Sequence, residues 1–314
     1  MIKTALPPLL IKGRRLLPVV QGGMGIGISA HRLAGAVAKE GAVGTISSVQ
    51  LRRLHPDIMH AQRHCRNHEE LAKSNLTALD REIRAAREIC GSGGFLAVNV
   101  MKALNHDDQL VRQACESGAD AIVMGAGLPL DLPDMVAGFA DVALIPILSE
   151  IRGVRAVLKK WLRKGRVPDA IVIEHPRFAG GHLGATRSTD IDDPKYDFAL
   201  VFREMRELFT QLDLQAESIP IIAAGGIHTY AQIEKLIELG ADAVQIGTPF
   251  AVTTEGDAHI HFKKVLAEAK PEEIVSFLSA AGLPARAVMT PWLKRYLEKE
   301  QKFNSIILVY TNGM

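Results

Sequence analysis

Cysteine is scarce in this chain: three residues in 314, Cys65, Cys90 and Cys115. They lie far apart and show no C-x-x-C spacing, so neither a disulfide framework nor a zinc site is indicated. Free thiols in a reducing compartment are the simplest reading. Aromatic residues make up only 5%, which removes the stacking platforms on which single-stranded nucleic acids are read. Charge of either sign is not in excess. The 37 Lys and Arg against 35 Asp and Glu leave a net +2, too little to argue for a nucleic-acid or membrane partner. Long apolar runs are missing too, and none approaches the ~20 residues that cross a bilayer. The opening MIKTALPPLLIKGRRLLPVV breaks its apolar stretches with Pro and charges, so it does not read as a signal peptide. These absences point to a cytoplasmic protein.

What the chain has is an ordinary globular composition, 47% hydrophobic and 23% charged, and a length ample for a full core. Eight short apolar runs recur: LPVVQ (17–21), AVGTIS (42–47), FLAVNVM (95–101), DAIVMG (120–125), VALIPIL (142–148), DAIVIE (169–174), IPIIAA (219–224) and DAVQIG (242–247). Most are apolar throughout rather than alternating, as expected of parallel strands buried on both faces. Amphipathic stretches lie between them. SAHRLAGAVAKEG (29–41) offers Ser29 as N-cap and Gly41 as terminator. DDQLVRQACESG (107–118) and TYAQIEKLIELG (229–240) repeat the grammar, opening on Asp or Thr and closing on Gly. The phrase Gly-Ala-Asp-Ala joins a helix end to the next strand at 118–121 and again at 240–243.

Eight strands with helical crossovers predict an α/β TIM (β/α)8 barrel, here over residues 1–254. A doubly wound open sheet is the competing fold, but it concentrates glycines after one strand, whereas here they follow several. Two segments exceed the plain repeat. Residues 51–75 carry His55, His60, His64 and His68. Interleaved Arg, Asn and Glu favour a solvated helix there over a metal site. Residues 255–295, including KPEEIVSFLSAAGLPARAV, read as short helices forming a small helical cap after the eighth strand. Residues 296–314 read as the end of a helix and a tail, FNSIILVYTNGM, that fits no barrel unit.

The active site of such a barrel lies at the C-terminal ends of its strands. Gln21-Gly22-Gly23-Met24-Gly25-Ile26-Gly27 follows the first strand, and its glycines allow close backbone approach to a flat ligand. Asn99 ends the third strand, where it can bond a heterocycle's edge or cap the next helix. Ala179-Gly180-Gly181-His182 follows the sixth, Gly225-Gly226 the seventh, and Gly247-Thr248 the eighth. Loops seven and eight of such barrels often hold a phosphate, on backbone N–H groups and a short helix. Gly225, Gly226, Gly247 and Thr248 suit that task. The pattern suggests a ligand with its phosphate there and a flat head near strands one and three.

Taken together, PVVQGGMGIGISAHRLAGAVAKEGAVGTIS, AVNVM, AGGHLG, PIIAAGGI and GADAVQIGTPF resemble the nitronate monooxygenase (2-nitropropane dioxygenase) family, FMN-dependent TIM-barrel flavoproteins that also include flavin-type enoyl-ACP reductases and NAD(P)H:quinone reductases. The resemblance covers about residues 17–252, and more weakly SAAGLPARAV. It implies that Gly22, Gly23 and Met24 lie against the flavin ring and that Asn99 and Gln245 contact the ring or ribityl chain. It implies that Gly180, Gly181, Gly225, Gly226, Gly247 and Thr248 hold the FMN phosphate or its approach. His182 matches the family's active-site histidine, and no metal is implied. The chain departs from the pattern at His175-Pro176, at Arg177-Phe178-Ala179 where Glu-Ala commonly precedes Gly-Gly-His, and at Ser149 where some members carry lysine.

Three readings follow. In the first, the enzyme oxidises alkyl nitronates with O2 as acceptor, and His182 acts as base or hydrogen-bond donor. In the second, NAD(P)H is a co-substrate and an enoyl thioester or quinone is reduced. The basic run 159–164 is then a carrier-protein contact, against the plainer reading of a solvated helix face. In the third, the barrel binds FMN or another phosphorylated ligand without turnover. All three take a small-molecule ligand, and a homo-oligomer is compatible with each.

Overall fold

The computed structural model describes residue 2 and residues 4–179, 181–182, 188–214, 219–279 and 284–299. The eight apolar runs form eight parallel strands: β1 (Val19–Gln21), β2 (Val43–Ser47), β3 (Phe95–Met101), β4 (Ala121–Gly125), β5 (Ala143–Leu148), β6 (Ile171–Glu174), β7 (Ile221–Ala224) and β8 (Ala243–Ile246). They pair in sequence order, and β8 returns to β1 through Val244↔Val19, Gln245↔Val20 and Ile246↔Gln21, closing the barrel. The predicted TIM barrel is therefore the observed fold.

The strands are apolar on both faces because each face meets a separate core. Ile46, Leu96, Val98, Ile122, Leu144, Ile173 and Val244 pack outward against the helices. Val20, Val43, Phe95, Ala97, Val123, Ile145, Val172, Ile222 and Ala243 fill the interior. Leu9, Ile11 and Leu16 join the interior cluster. They come from an antiparallel hairpin, Leu9–Ile11 with Arg14–Leu16, that plugs the N-terminal end.

That end is also tied by a repeated clamp, which explains the recurring Asp-Ala phrase. Asp120 accepts the N–H of Leu96 at 2.8 Å, Asp169 that of Leu144 at 2.8 Å, and Asp242 that of Ile221 at 2.7 Å. Each Asp thus holds the first turn of the strand before its own. Each is also paired with arginine: Asp120 with Arg14 and Arg87, Asp169 with Arg166, and Asp242 with Arg206.

Three expectations need correction. The first helix runs His31–Lys39, and Ser29 does not cap it. The Ser29 hydroxyl instead accepts from Met24 N at 2.8 Å, closing the glycine loop. The helix start is satisfied from afar by the Asp257 carboxylate, which accepts from the N–H groups of Ala30, Arg32 and Leu33. A carboxylate there both fills orphan donors and meets the positive end of the helix dipole. Second, residues 51–75 are not one solvated helix. They form a 3-10 turn (Leu51–Leu54), a short helix (Pro56–Ala61) and the start of a long helix, His68–Cys90.

Third, the cap is only half helical. Helix Ile260–Glu268 is followed by an antiparallel hairpin, Ile274–Leu278 with Pro284–Val288. The Glu-rich start of this stretch favours a helix. Ile-Val-Ser-Phe-Leu, however, alternates with period two and places Phe277 against Tyr296 at 6.1 Å, as a half-buried strand requires. Residues 291–299 are helical as expected, and the tail lies outside the described residues. Among the described residues no helix is long and apolar enough to cross a membrane.

Candidate active site

The strands' two-residue alternation carries past the interior core to the C-terminal rim. Continuing from Val20, Ala97, Ile145, Val172 and Ala243, the inward positions at the mouth are Gly22, Asn99, Ile147, Glu174 and Gln245. Asn99 and Gln245, both expected to serve a flat ligand, therefore share one opening. Glu174 joins them.

The first loop folds down onto these two side chains. A Cβ on Gly23 would lie 2.3 Å from Cβ of Asn99, and one on Gly22 would lie 3.3 Å from Cγ of Gln245. No alanine fits at Gly23 without moving β3 or the loop. Gly22 N donates to Ile246 O at 2.9 Å. Buried Gln21 accepts from Thr45 N at 2.9 Å, and its amide nitrogen donates to Gly22 O. Gln21 thus fixes the loop's peptide planes. Met24 comes within reach of Gly247, whose Cβ would lie 3.5 Å from the Met24 sulfur. Loops one and eight consequently meet over the mouth.

Gly225 and Gly226 adopt φ of +109° and +72°, which only glycine takes without strain. Their concave side faces the sixth loop: a Cβ on Gly226 would lie 3.0 Å from Cβ of Phe178. Gly247 precedes the four-residue helix Thr248–Ala251, and Thr248 is exposed at its first position. Loops six, seven and eight therefore run side by side.

His182 and Gly181 form a two-residue strand added to the capping hairpin, with Ala285 opposite His182 and Arg286 opposite Gly181. The backbone at His182 is thus held by the cap as well as by β6. Gly180 lies outside the described residues. The departures after β6 resolve into two kinds. His175 points away from the mouth, only 8% exposed, with its ring 4.9 Å from Phe178 and 5.4 Å from Phe198. Burial pushes its pKa down, so it packs as a neutral ring. Phe178 is exposed, as are Ile26 and Leu128 in the first and fourth loops.

Sequence reasoning did not assign Glu174 or Gln21 a role. Glu174 keeps some solvent contact through the open mouth but is otherwise surrounded by protein. Desolvation raises its carboxyl to a pKa of about 7. The clue was a carboxylate ending the apolar run DAIVIE. Of the histidines of 51–75, His55 serves structure, while His60, His64 and His68 are exposed. His55 lies 3.0 Å from the Glu82 carboxylate, whose other oxygen meets Nδ1 of His31 at 2.7 Å. Glu82, 2% exposed, therefore pins the insertion to the first helix. No group of three or more candidate metal ligands occurs among the described residues.

With this geometry in place, comparison with known proteins is direct. The profile of the family described as Nitronate monooxygenase matches residues 10–312. A probable nitronate monooxygenase of Bacillus subtilis is 26% identical over 307 residues, 93% of this chain and 81% of that protein. The nitronate monooxygenase of Pseudomonas aeruginosa is 34% identical over a shorter stretch of 123 residues, 38% of this chain and 32% of that one. Among solved structures, FabK from Thermotoga maritima aligns with a TM-score of 0.66 at 23% identity, covering 90% of this chain and 74% of that one. The nitroalkane oxidase from Streptomyces ansochromogenes aligns at 0.64 and 23%, covering 88% and 78%. At these identities the structural likenesses speak for the fold.

Proposed function

From the premise that this chain belongs to the nitronate monooxygenase family and is an FMN-dependent oxidoreductase, we propose that it binds FMN across the barrel mouth and oxidises alkyl nitronates with O2. The observation that carries this reading is the convergence of Gly22–Gly23 on Asn99 and Gln245 at one opening.

The residues present fit the cofactor. Gly22, Gly23 and Met24 offer a flat backbone surface with a polarizable sulfur beside it. Asn99 and Gln245 carry amides that can donate to or accept from a heterocycle's edge. At the other end, Gly225, Gly226, Gly247 and Thr248 suit a phosphate. Positive-φ glycines free backbone N–H groups, and Thr248 adds a hydroxyl donor. Gly181 would give the sixth loop room to cross the ligand, the role the sequence also suggests for Gly180, which lies outside the described residues. Bound FMN supplies the electron acceptor that O2 reoxidises.

His182, on the loop after β6 and paired with the capping hairpin, is the candidate acid–base group of this site. An imidazole there can hold a proton or release one around neutrality. Toward a neutral nitroalkane it would take the proton next to the nitro group. Toward a preformed nitronate it would donate a hydrogen bond to an oxygen and orient the anion. Ile26, Leu128 and Phe178 give the rim an apolar surface suited to a short alkyl chain.

Anaerobic titration of the purified protein tests the reading. Bleaching of a flavin band by propyl nitronate, and not by NADH or NADPH, is expected. Bleaching by the nicotinamide alone would overturn it in favour of a reductase. A protein that takes up no FMN on reconstitution would overturn the cofactor assignment.

A further inference from the structure

Glu174 is an acid among amides. It ends β6 in register with Ala224 of β7, on the inward face that continues from Val172. Its partners in register on the flanking strands are Ala224 and, one step beyond Leu148↔Ile173, Ser149. Ala224 has no side-chain donor, no hydrogen bond joins the Ser149 hydroxyl to the carboxylate, and inward Ile147 lies one pair lower, opposite Val172. Across the opening stand Asn99 and Gln245, both uncharged. Among the described residues, the cations nearby on adjoining elements are committed elsewhere. Arg177 pairs with Asp192 at 3.2 Å. Lys102, beyond β3, bridges Asp107 and Asp131 at 2.9 and 3.0 Å. His175 packs outward on Phe178 and Phe198. Glu150 follows β5, just before helix Ile151–Leu162, and carries the wrong sign to offset a carboxylate. The sixth loop also carries His182 and the acids Asp190, Asp192 and Asp193, of which Asp192 and Asp193 are paired with Arg177 and Lys195; Arg187 lies outside the described residues.

We infer that Glu174 sets the charge its ligand must have: as a neutral acid it donates its O–H in the mouth and admits an oxygen-bearing anion, and as a carboxylate it repels one. The inference rests on the proposed active site and adds a specificity residue to it. Two negative charges in one poorly solvated opening are costly, so anion binding and protonation of Glu174 favour each other. The coupling is reciprocal: an anion raises the affinity of Glu174 for its proton, and that proton raises the affinity for the anion. The desolvation that lifts this carboxyl to about 7 puts the effect in the neutral range. No covalent step is involved, and one proton moves from solvent to the carboxylate as one anion enters.

The test uses the FMN-loaded protein and propionate, an unreactive anion with the two-oxygen head of a nitronate. Calorimetric titration at pH 7.5 in two buffers of different ionisation enthalpy measures proton uptake. Roughly half a proton per bound propionate is expected, with affinity falling several-fold between pH 7 and 8.5. Glu174→Gln, close in shape, should still bind propionate but lose both the uptake and the pH dependence. Uptake that persists in Glu174→Gln would assign the proton to another group, His182 first, and overturn the inference. Failure of both proteins to bind propionate would overturn the site itself. Infrared spectra give an activity-independent check: a protonated carboxyl band near neutral pH, absent from Glu174→Gln. If no such band is present in the parent, Glu174 is ionised and the inference fails.

Discussion

The two ends of this barrel are built on opposite rules. At the N-terminal end, Asp120, Asp169 and Asp242 each hold a backbone N–H and an arginine, and the hairpin's Leu9, Ile11 and Leu16 close the interior. At the C-terminal end, glycines replace side chains, and inward Asn99, Glu174 and Gln245 face an opening. The same alternation that fills the closed end with Val and Ala delivers polar groups at the open end. Saturated ion pairs lock the first end, and groups left open to a ligand define the second. Stability and chemistry are thus separated along the barrel axis, so changes at the two ends should have different signatures.

The largest expected effect is at the open end. His182→Asn should lower kcat by roughly 10²–10⁴-fold, the usual span for a positioned acid or base, while flavin content stays at the parent level. Steady-state rates and the flavin spectrum check this together, and parental turnover would remove His182 from the chemistry. At the closed end the signature inverts. Asp120→Ala removes an acceptor shared by Leu96 N, Arg14 and Arg87 and should cost about 2–3 kcal/mol of stability. Urea unfolding measures that loss, and turnover per folded molecule should not change. A drop in kcat with intact stability would erase the distinction between the ends.

Gly23→Ala sharpens the comparison from within the open end. The added methyl meets Asn99 at 2.3 Å, and overpacking of this kind costs about 1–3 kcal/mol. Strain at the mouth should appear as roughly 10–100-fold weaker FMN binding, read by fluorescence titration, with the circular dichroism of the barrel retained.

The smallest effect belongs to the latch between the ends. The Glu82 carboxylate raises the pKa of His31 above its ordinary 6.5, and the His31 contact holds Glu82 below 4.5. The raised histidine contributes stability that is complete below pH 6.5 and fades as pH climbs through its folded-state pKa. The lowered carboxyl contributes above pH 4.5 and fades on acidification. The pair is therefore strongest between about pH 4.5 and 6.5. His31→Asn should lower Tm most in that window and least at pH 8.5. The His31 ring is 35% exposed, so solvent screening keeps its share to about 0.5 kcal/mol or less. A Tm difference independent of pH would show that His31 acts by packing alone.

Much of the molecule was legible in order along the chain. The strands are short apolar runs because both faces are buried, and that pattern survives without any knowledge of contacts. Glycine loops were legible for a similar reason, since φ at Gly225 and Gly226 is a local demand. Thr229 could be read as a cap because its partner, Gln232, is three residues away. Ser29 misled because the true partner of that helix start, Asp257, lies more than two hundred residues on. The capping hairpin was misread because helix-favouring glutamates border it and its third strand, Gly181–His182, comes from the loop after β6, far away in sequence.

The sequence by itself determined the eightfold repeat, the barrel and the loops that could carry a ligand, because periodicity and backbone freedom are local properties. Only the tertiary structure decided that Asn99, Gln245 and Glu174 share one opening, that His175 turns away from it, and that His31 and His55 meet on Glu82. Barrel closure sets those distances, since an inward position on one strand acquires neighbours only when the other seven strands surround it. The raised pKa of Glu174 belongs to the same class: a carboxylate in a sequence is an anion by default, and only its burial at the barrel mouth lifts it to about 7.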